Sequence, residues 1–200
     1  AWRINNEKLL SSIKDLSNLK LRLSYGKTGQ QDIGSDYPYQ STYTASYNES
    51  RYQFGDTWLT TYRPNGYDPN IKWETTTTYN IGLDWGFLNN RISGSLDYYH
   101  RKTNDLLNTI YVPAGSNFTN MITTNIGSMK NDGIEIAVSA IPVKTSKIEW
   151  DINANFTWNK SRITKLNTID TDGNYVKTGN AGGTGKYLQI HKVGETPYTF

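Results

Sequence analysis

Few residues in this chain have the types and spacing that bond chemistry or metal binding demands. Asp170-Thr171-Asp172-Gly173-Asn174 has the oxygen density of a calcium loop, because a hard cation takes carboxylate, amide and carbonyl oxygens, and Asp170 and Asp172 would be its ligands. The EF-hand spacing is incomplete and no Glu closes it, so an Asp-Gly turn accounts for the same residues and no metal site is assigned. Gly182-Gly183-Thr184-Gly185-Lys186 resembles the end of a phosphate loop. That motif needs glycine six residues before the Lys and Ser or Thr after it, where this chain has Asn180 and Tyr187. His100 and His191 lie far apart and share no metal-ligand spacing, and His100, among Tyr98, Tyr99 and Arg101, suits an interfacial or lumen-facing position. No Ser-His-Asp order stands out, so no catalytic residue, cofactor or enzymatic role is assigned.

One stretch does have recognition chemistry. Tyr37, Tyr39, Tyr43, Tyr47, Tyr52, Phe54, Trp58, Tyr62 and Tyr67 are interleaved with Asp, Asn, Gln, Thr and Arg. Sugar rings present apolar C–H faces that stack on aromatic rings, while their hydroxyls need amide and carboxylate partners. Tyr37, Tyr39, Trp58, Tyr62 and Tyr67 are the candidates for contact with a substrate or with a covering partner. Membrane-interface or loop-packing roles would use the same residue types.

The elements that must position these residues are strands. In 79–88, Tyr79, Ile81, Leu83, Trp85 and Phe87 alternate with Asn80, Gly82, Asp84 and Gly86, which puts one face wholly apolar and the other small and polar. Asn89-Asn90 tolerates the positive φ of a two-residue hairpin turn. Counting outward pairs Phe87 with Ile92, Trp85 with Gly94, Leu83 with Leu96 and Ile81 with Tyr98 on the apolar face. The other face pairs Gly86 with Ser93, Asp84 with Ser95, Gly82 with Asp97 and Asn80 with Tyr99, and a one-residue slip would destroy this agreement. Trp85 opposite Gly94 fits an aromatic ring covering a strand glycine.

Alternation recurs at Leu19–Tyr25, Ile134–Ala140 and Trp150–Trp158, the last two joined by a short turn near 144–146. Long polar segments at 27–70, 104–125 and 167–186 read as loops, and the spacing of Ile4, Leu9, Ile13 and Leu16 allows one short helix or turn.

Composition bounds the class. The 200 residues carry 36% apolar and 13% aromatic side chains, with a mean hydropathy of −0.68. No apolar run approaches the length of a membrane-spanning helix, and the aromatic and β-branched content argues against disorder. The absence of cysteine removes disulfides and thiolate metal sites. A net charge of +3 is too small and scattered for a nucleic-acid footprint. Strand pattern then leaves two all-β architectures: a secreted β-sandwich that binds carbohydrate, or a transmembrane β-barrel. Alternating runs of about nine to eleven residues, long enough to cross a bilayer when tilted, favour the barrel. So do aromatics at both ends of the apolar rows and a polar face of Asn, Gly, Ser, Thr and Asp.

The run Leu19-Lys-Leu-Arg-Leu-Ser-Tyr-Gly-Lys-Thr-Gly29 resembles a strand of the SusC/RagA-type TonB-dependent outer-membrane transporters. So do Ile71-Lys-Trp-Glu-Thr75, the segment from Tyr79 to Arg91, Asp97-Tyr-Tyr99 with Thr103 and Asp105-Leu-Leu107, Asn125-Ile-Gly127 with Asn131 to Glu135, and Trp150 with Asn155 to Lys165. The matches run in order from Ala1 to about Leu166. Gln30, Asp132 and Ile134 are mild departures from the family's usual residues. The resemblance implies a segment of an antiparallel transmembrane barrel of about 22 strands with long extracellular loops. It implies that residues 1–200 are barrel wall continuing beyond both ends, with the plug domain and TonB box outside this chain. It further implies the outer membrane of a Gram-negative bacterium and active import of an oligosaccharide or peptide. The implied partners are a SusD-like surface lipoprotein lid, the TonB complex and outer-membrane lipid, with no nucleic acid. Asn80, Asp84, Asp97, Asn153 and Asn155 are then the expected lumen-facing residues.

Overall fold

The computed structural model describes the chain apart from residues 9, 11–12, 35–36, 168–174, 181 and 183–184, and apart from the side chains of 46–50 and 180. Asp170 and Asp172 therefore lie outside the described residues. The strands are β1 (Trp2–Arg3), β2 (Leu16–Gly29), β3 (Tyr43–Phe54), β4 (Thr57–Pro64), β5 (Thr75–Phe87), β6 (Ile92–Tyr111), β7 (Met121–Lys144), β8 (Glu149–Leu166), β9 (Tyr175–Asn180) and β10 (Tyr187–Lys192). Among the described residues they form a six-stranded antiparallel sheet in the order β1-β2-β5-β6-β7-β8 and two separate hairpins, β3-β4 and β9-β10.

The β5–β6 hairpin has the register expected from the alternation, from Phe87↔Ile92 through Trp85↔Gly94 and Leu83↔Leu96 to Asn80↔Tyr99. Asn89 and Asn90 take φ of 57° and 61°, the left-handed values such a turn requires. Leu88 joins them at 53° and turns its N–H to the Asp15 carbonyl at 2.8 Å, a departure from a bare two-residue turn. An added Cβ on Gly94 would fall under 3.0 Å from the Trp85 indole, so the ring does lie over that glycine. The β7–β8 hairpin pairs Ile134↔Trp158, Ile136↔Phe156 and Val138↔Ala154, with a bulge between Ala140 and Val143 before the turn.

Pairings between these hairpins complete the wall. β2 pairs with β5 (Leu21↔Leu83, Leu23↔Ile81), and β6 pairs with β7 (Leu96↔Ile136, Tyr98↔Ile134). Combining the registers gives apolar rows that cross five strands: Leu19-Trp85-Gly94-Val138-Ala154, Leu21-Leu83-Leu96-Ile136-Phe156 and Leu23-Ile81-Tyr98-Ile134-Trp158. Between them run polar rows, Lys20-Asp84-Ser95-Ala137-Asn155 and Arg22-Gly82-Asp97-Glu135-Thr157.

The apolar face is not covered by another layer of this chain. Leu23 and Tyr25 are each 65% exposed and Phe156 is 59% exposed, while among the described residues only Ile126 and Ile163 are buried hydrophobics. So large an apolar sheet face requires an environment other than water.

Among the described residues of 4–19, the short helix or turn that the spacing allowed is a 3-10 turn at Ile4–Asn6. The apolar positions there are five, four and three apart, too irregular for one stripe, and Leu16 already starts β2. Two expectations need correction. The strands of the main wall, β2 and β5 to β8, run 13 to 24 residues rather than nine to eleven. Finally, the supposed loops carry strands. Residues 27–70 contain the β3–β4 hairpin, and much of 104–125 continues β6 and β7, with Ile110↔Ile122 and Thr109↔Thr123 paired. β-branched residues favour this extension. A bulge at Asp105 (φ 57°) shifts the register there, so the lower alternation does not read through.

Candidate functional site

The polar face is organised around Arg22. Its Nε donates to both Asp84 carboxylate oxygens at 3.0 Å, and its Nη2 donates to Asp84 Oδ1 and to Asp97 Oδ2 at 2.8 Å each. Lys20 Nζ stands 3.8 Å from Asp84 Oδ2. One fork-shaped cation thus ties β2, β5 and β6 together through two carboxylates. Gly82 makes room for it, because an added Cβ would fall under 3.0 Å from the Arg22 guanidinium and from Asp97 Oδ1. Asp84 and Asp97, singled out by alternation, are therefore brought together. Their common partner was missed, since the signal lies in a β2–β5 register that connects residues 62 apart.

Higher on the same face Tyr99 lies over Gly133, where an added Cβ would also come under 3.0 Å from the ring. The Arg101 guanidinium carbon sits 5.7 Å from the Tyr99 ring centroid. Asn80 shares this row, between Ser24 and Tyr99. Asn153 and Asn155 reach a shallow open depression that Asp84, Asn18 and Ser95 also line. The five polar-face candidates thus lie on one face of the wall, and three of them border one depression. Groups that hydrogen-bond but hold no apolar pocket can guide a polar solute without trapping it.

The aromatic candidates divide. On β4 the side chains of Trp58 and Tyr62 fall on one face of the β3–β4 hairpin, opposite Gln53 and Ala45, and both are exposed. Tyr37 and Tyr39 are exposed and meet edge to face at 6.5 Å between centroids. Tyr67 differs: its ring stacks on Phe118 at 6.0 Å. Asn117 brackets its backbone, Nδ2 donating to the Tyr67 carbonyl at 2.8 Å and Oδ1 accepting the Tyr67 N–H at 3.3 Å. Asn125 does the same for Lys72 and also donates to the Asp105 carbonyl, while Thr124 Oγ1 donates to Asp68 Oδ2 at 2.5 Å. Residues 67–72 are therefore strapped to the tops of β6 and β7, and Tyr67 is part of the strap.

His100, expected at an interfacial or lumen-facing position, lies within β6 in the row of Tyr79 on the apolar face, with Nδ1 2.6 Å from Asp132 Oδ1. His191 on β10 packs edge-on against Tyr198, centroids 4.6 Å apart. Its Nε2 is buried with no hydrogen-bond partner among the described residues, and burial pushes the imidazole below its usual pKa. At the far edge of the sheet, Ile163 exchanges backbone hydrogen bonds with Gly194 (2.8 Å) and Glu195 (2.9 Å), the pairing a following strand makes with β8.

An antiparallel wall with one exposed apolar face, a polar face and bulged upper strands defines a transmembrane β-barrel segment. Residues 2–191 match the TonB dependent receptor-like β-barrel family. The chain is 46% identical over its whole length to the TonB-dependent receptor SusC of Bacteroides thetaiotaomicron, of which it covers 20%. It is 34% identical over 85% of its length to TonB-dependent receptor P26 of Formosa agariphila, covering 17% of that protein. Among solved structures it superposes on the RagAB peptide transporter with a TM-score of 0.78 at 29% identity, with all of this chain and 20% of that one covered. The chain belongs to the TonB-dependent receptor family and is similar to its SusC/RagA-type members. It spans about a fifth of the length of these relatives. Such proteins reside in the outer membrane of Gram-negative bacteria and are receptors and transporters rather than enzymes. Membership in a barrel family sets aside the secreted β-sandwich.

Proposed function

We propose that this segment is wall and extracellular loop of a transporter that imports a nutrient, an oligosaccharide or a peptide, across the outer membrane with energy from the TonB complex. The observation that carries the reading is the continuity of apolar and polar rows across five strands in a chain that matches the receptor barrel over residues 2–191. The apolar rows face lipid. The polar face, with Asn80, Asp84, Asp97, Asn153 and Asn155, faces the lumen, where the Arg22 network fixes the wall and leaves amide groups for a passing solute. The turns at 88–91 and 145–148 are periplasmic, and the β3–β4 hairpin is extracellular, as short turns and long excursions are distributed in such barrels.

Trp58, Tyr62, Tyr37 and Tyr39 offer exposed rings for a sugar face, a peptide side chain or a SusD-like lipoprotein lid. Similarity to SusC and to a peptide transporter keeps both substrate classes in view. Uptake of labelled oligosaccharides and peptides by cells with and without the gene tests the reading. Uptake of one class should vanish on deletion and on collapse of the proton-motive force. Uptake unchanged by deletion across both classes would refute import.

A further inference from the structure

Residues 30–74 leave the wall between β2 and β5, and the β3–β4 hairpin within them has exposed rings on both faces. Tyr43, Trp58 and Tyr62 lie on one face, Tyr52 and Phe54 on the other. A two-stranded hairpin open on both faces is marginal by itself, so its roots must set how it stands. Those roots lie between Pro64 and Thr75, outside every strand. Asn65 holds the hairpin base: its N–H donates to the Thr42 carbonyl at 2.9 Å, and its Nδ2 donates to the Thr42 and Thr44 hydroxyls at 3.1 and 3.0 Å. The Asp68 N–H donates at 3.3 Å to the carbonyl of Pro38, the residue between Tyr37 and Tyr39. The four exposed aromatic candidates therefore hang from residues 65–68.

We propose that Asn117 and Asn125 are positioning residues that hold these rings in the orientation in which they meet solute, a role that rests on the import reading above. Each side-chain amide does for the strap what a neighbouring strand would do. Asn117 accepts the Tyr67 N–H and donates to the Tyr67 carbonyl, and Asn125 does the same for Lys72 at 2.7 and 2.8 Å. Among side chains this short, only asparagine offers an acceptor and two N–H donors together. Asn125 uses all three, because its Nδ2 also donates at 2.6 Å to the carbonyl of Asp105, the residue at the β6 bulge. Thr124 holds Asp68 between the two clamps. Gly66 lets the strap lie against the start of β7, since an added Cβ would fall under 3.0 Å from Thr119 Oγ1, Ile122 and the Met121 carbonyl. The strap is thus fixed at 67, 68 and 72 to strands that continue the wall. Rings held still before a solute arrives spare binding the cost of ordering them.

The test compares the full-length transporter as wild type, N117D/N125D and N120D. The two aspartates keep the acceptors but cannot donate to the carbonyls of Tyr67, Lys72 and Asp105. Asn120 is exposed and serves the strands through its backbone carbonyl, so N120D adds charge nearby without touching a clamp. Spin labels on D56C, in the hairpin turn, and K102C, on β6, report the distance between hairpin and wall by double electron–electron resonance in lipid vesicles. Wild type and N120D should give one narrow distribution, and N117D/N125D a broad one. Kinetics are then measured with the labelled oligosaccharide or peptide whose uptake depends on the gene. KM should rise about ten-fold in N117D/N125D if the freed rings keep the working orientation about a tenth of the time, with the maximal rate per assembled protein within about two-fold. A merely structural role would lower assembled protein and leave KM as it was. If the double variant does not assemble, N117D and N125D singly, each with one clamp intact, should broaden the distribution and raise KM in part. A narrow distribution in the clamp variants, or a broad one with wild-type KM, would overturn the proposal. Failure of the import reading is seen separately, as uptake that deletion of the gene leaves unchanged.

Discussion

Arg22 works as a three-strand tie because of what surrounds it. Gly82 leaves the space, and Asp84 and Asp97 supply charge from β5 and β6. Arg22→Met should leave two carboxylates facing each other and cost on the order of 1–2 kcal/mol in this half-wet setting, read from urea denaturation of the transporter in micelles. Adding Asp97→Asn should return part of that loss, whereas additive losses would mean the two do not act together. Gly82→Val should mimic the loss, since its Cβ falls where the guanidinium lies. His191 gives a pH dependence. Burial holds its folded pKa below the unfolded value of about 6.5, so the unfolded state takes up the proton first. The packing on Tyr198 is fully stable above that value and is lost as pH falls through the window beneath it. Hydrogen exchange of residues 187–192, corrected for intrinsic rates, should speed up between pH 7 and pH 5 in the wild type and not in His191→Phe. Identical pH responses would remove this role. Alternation made Asp84 and Asp97 legible. The residue that joins them was not legible, because no local pattern reports a pairing 62 residues away.

At the scale of elements, local hairpins read well and everything above them read poorly. The β5–β6 register followed from Asn89-Asn90 and strict alternation, and the β7–β8 pairing followed in the same way up to its bulge. The tops of β6 and β7 lost that signal after Asp105, where a bulge shifts the phase of the alternation. For the same reason Tyr43–Phe54 and Thr57–Pro64 read as an aromatic loop, although they pair as strands. The facing of the rows predicts a strong asymmetry in tolerance to charge. Leu83→Arg and Ile152→Arg should each cost about 2–4 kcal/mol at mid-bilayer and sharply reduce assembled protein in outer-membrane fractions. Ser95→Arg, from the polar row beside Asp84, should assemble at wild-type levels. Equal assembly of all three would contradict the two-faced wall.

For the whole molecule, a chain only 36% apolar nonetheless builds a membrane wall, because one face of each wall strand is largely polar and the excursions between strands are rich in polar residues. On the apolar face Leu23, Tyr25 and Phe156 stay exposed with no covering layer among the described residues, and the proposed import uses the other face. That division can be read directly. Residues 1–200 hold no cysteine, so single cysteines for spin labelling can be introduced one at a time from residue 79 to residue 87 of the full transporter in lipid vesicles, with any cysteine outside these residues replaced by serine. Collision with bilayer-soluble oxygen should peak at 79, 81, 83, 85 and 87, and collision with a water-soluble nickel chelate at 80, 82, 84 and 86. The opposite phase, or no alternation at all, would contradict a wall with lipid on one side and an aqueous lumen on the other.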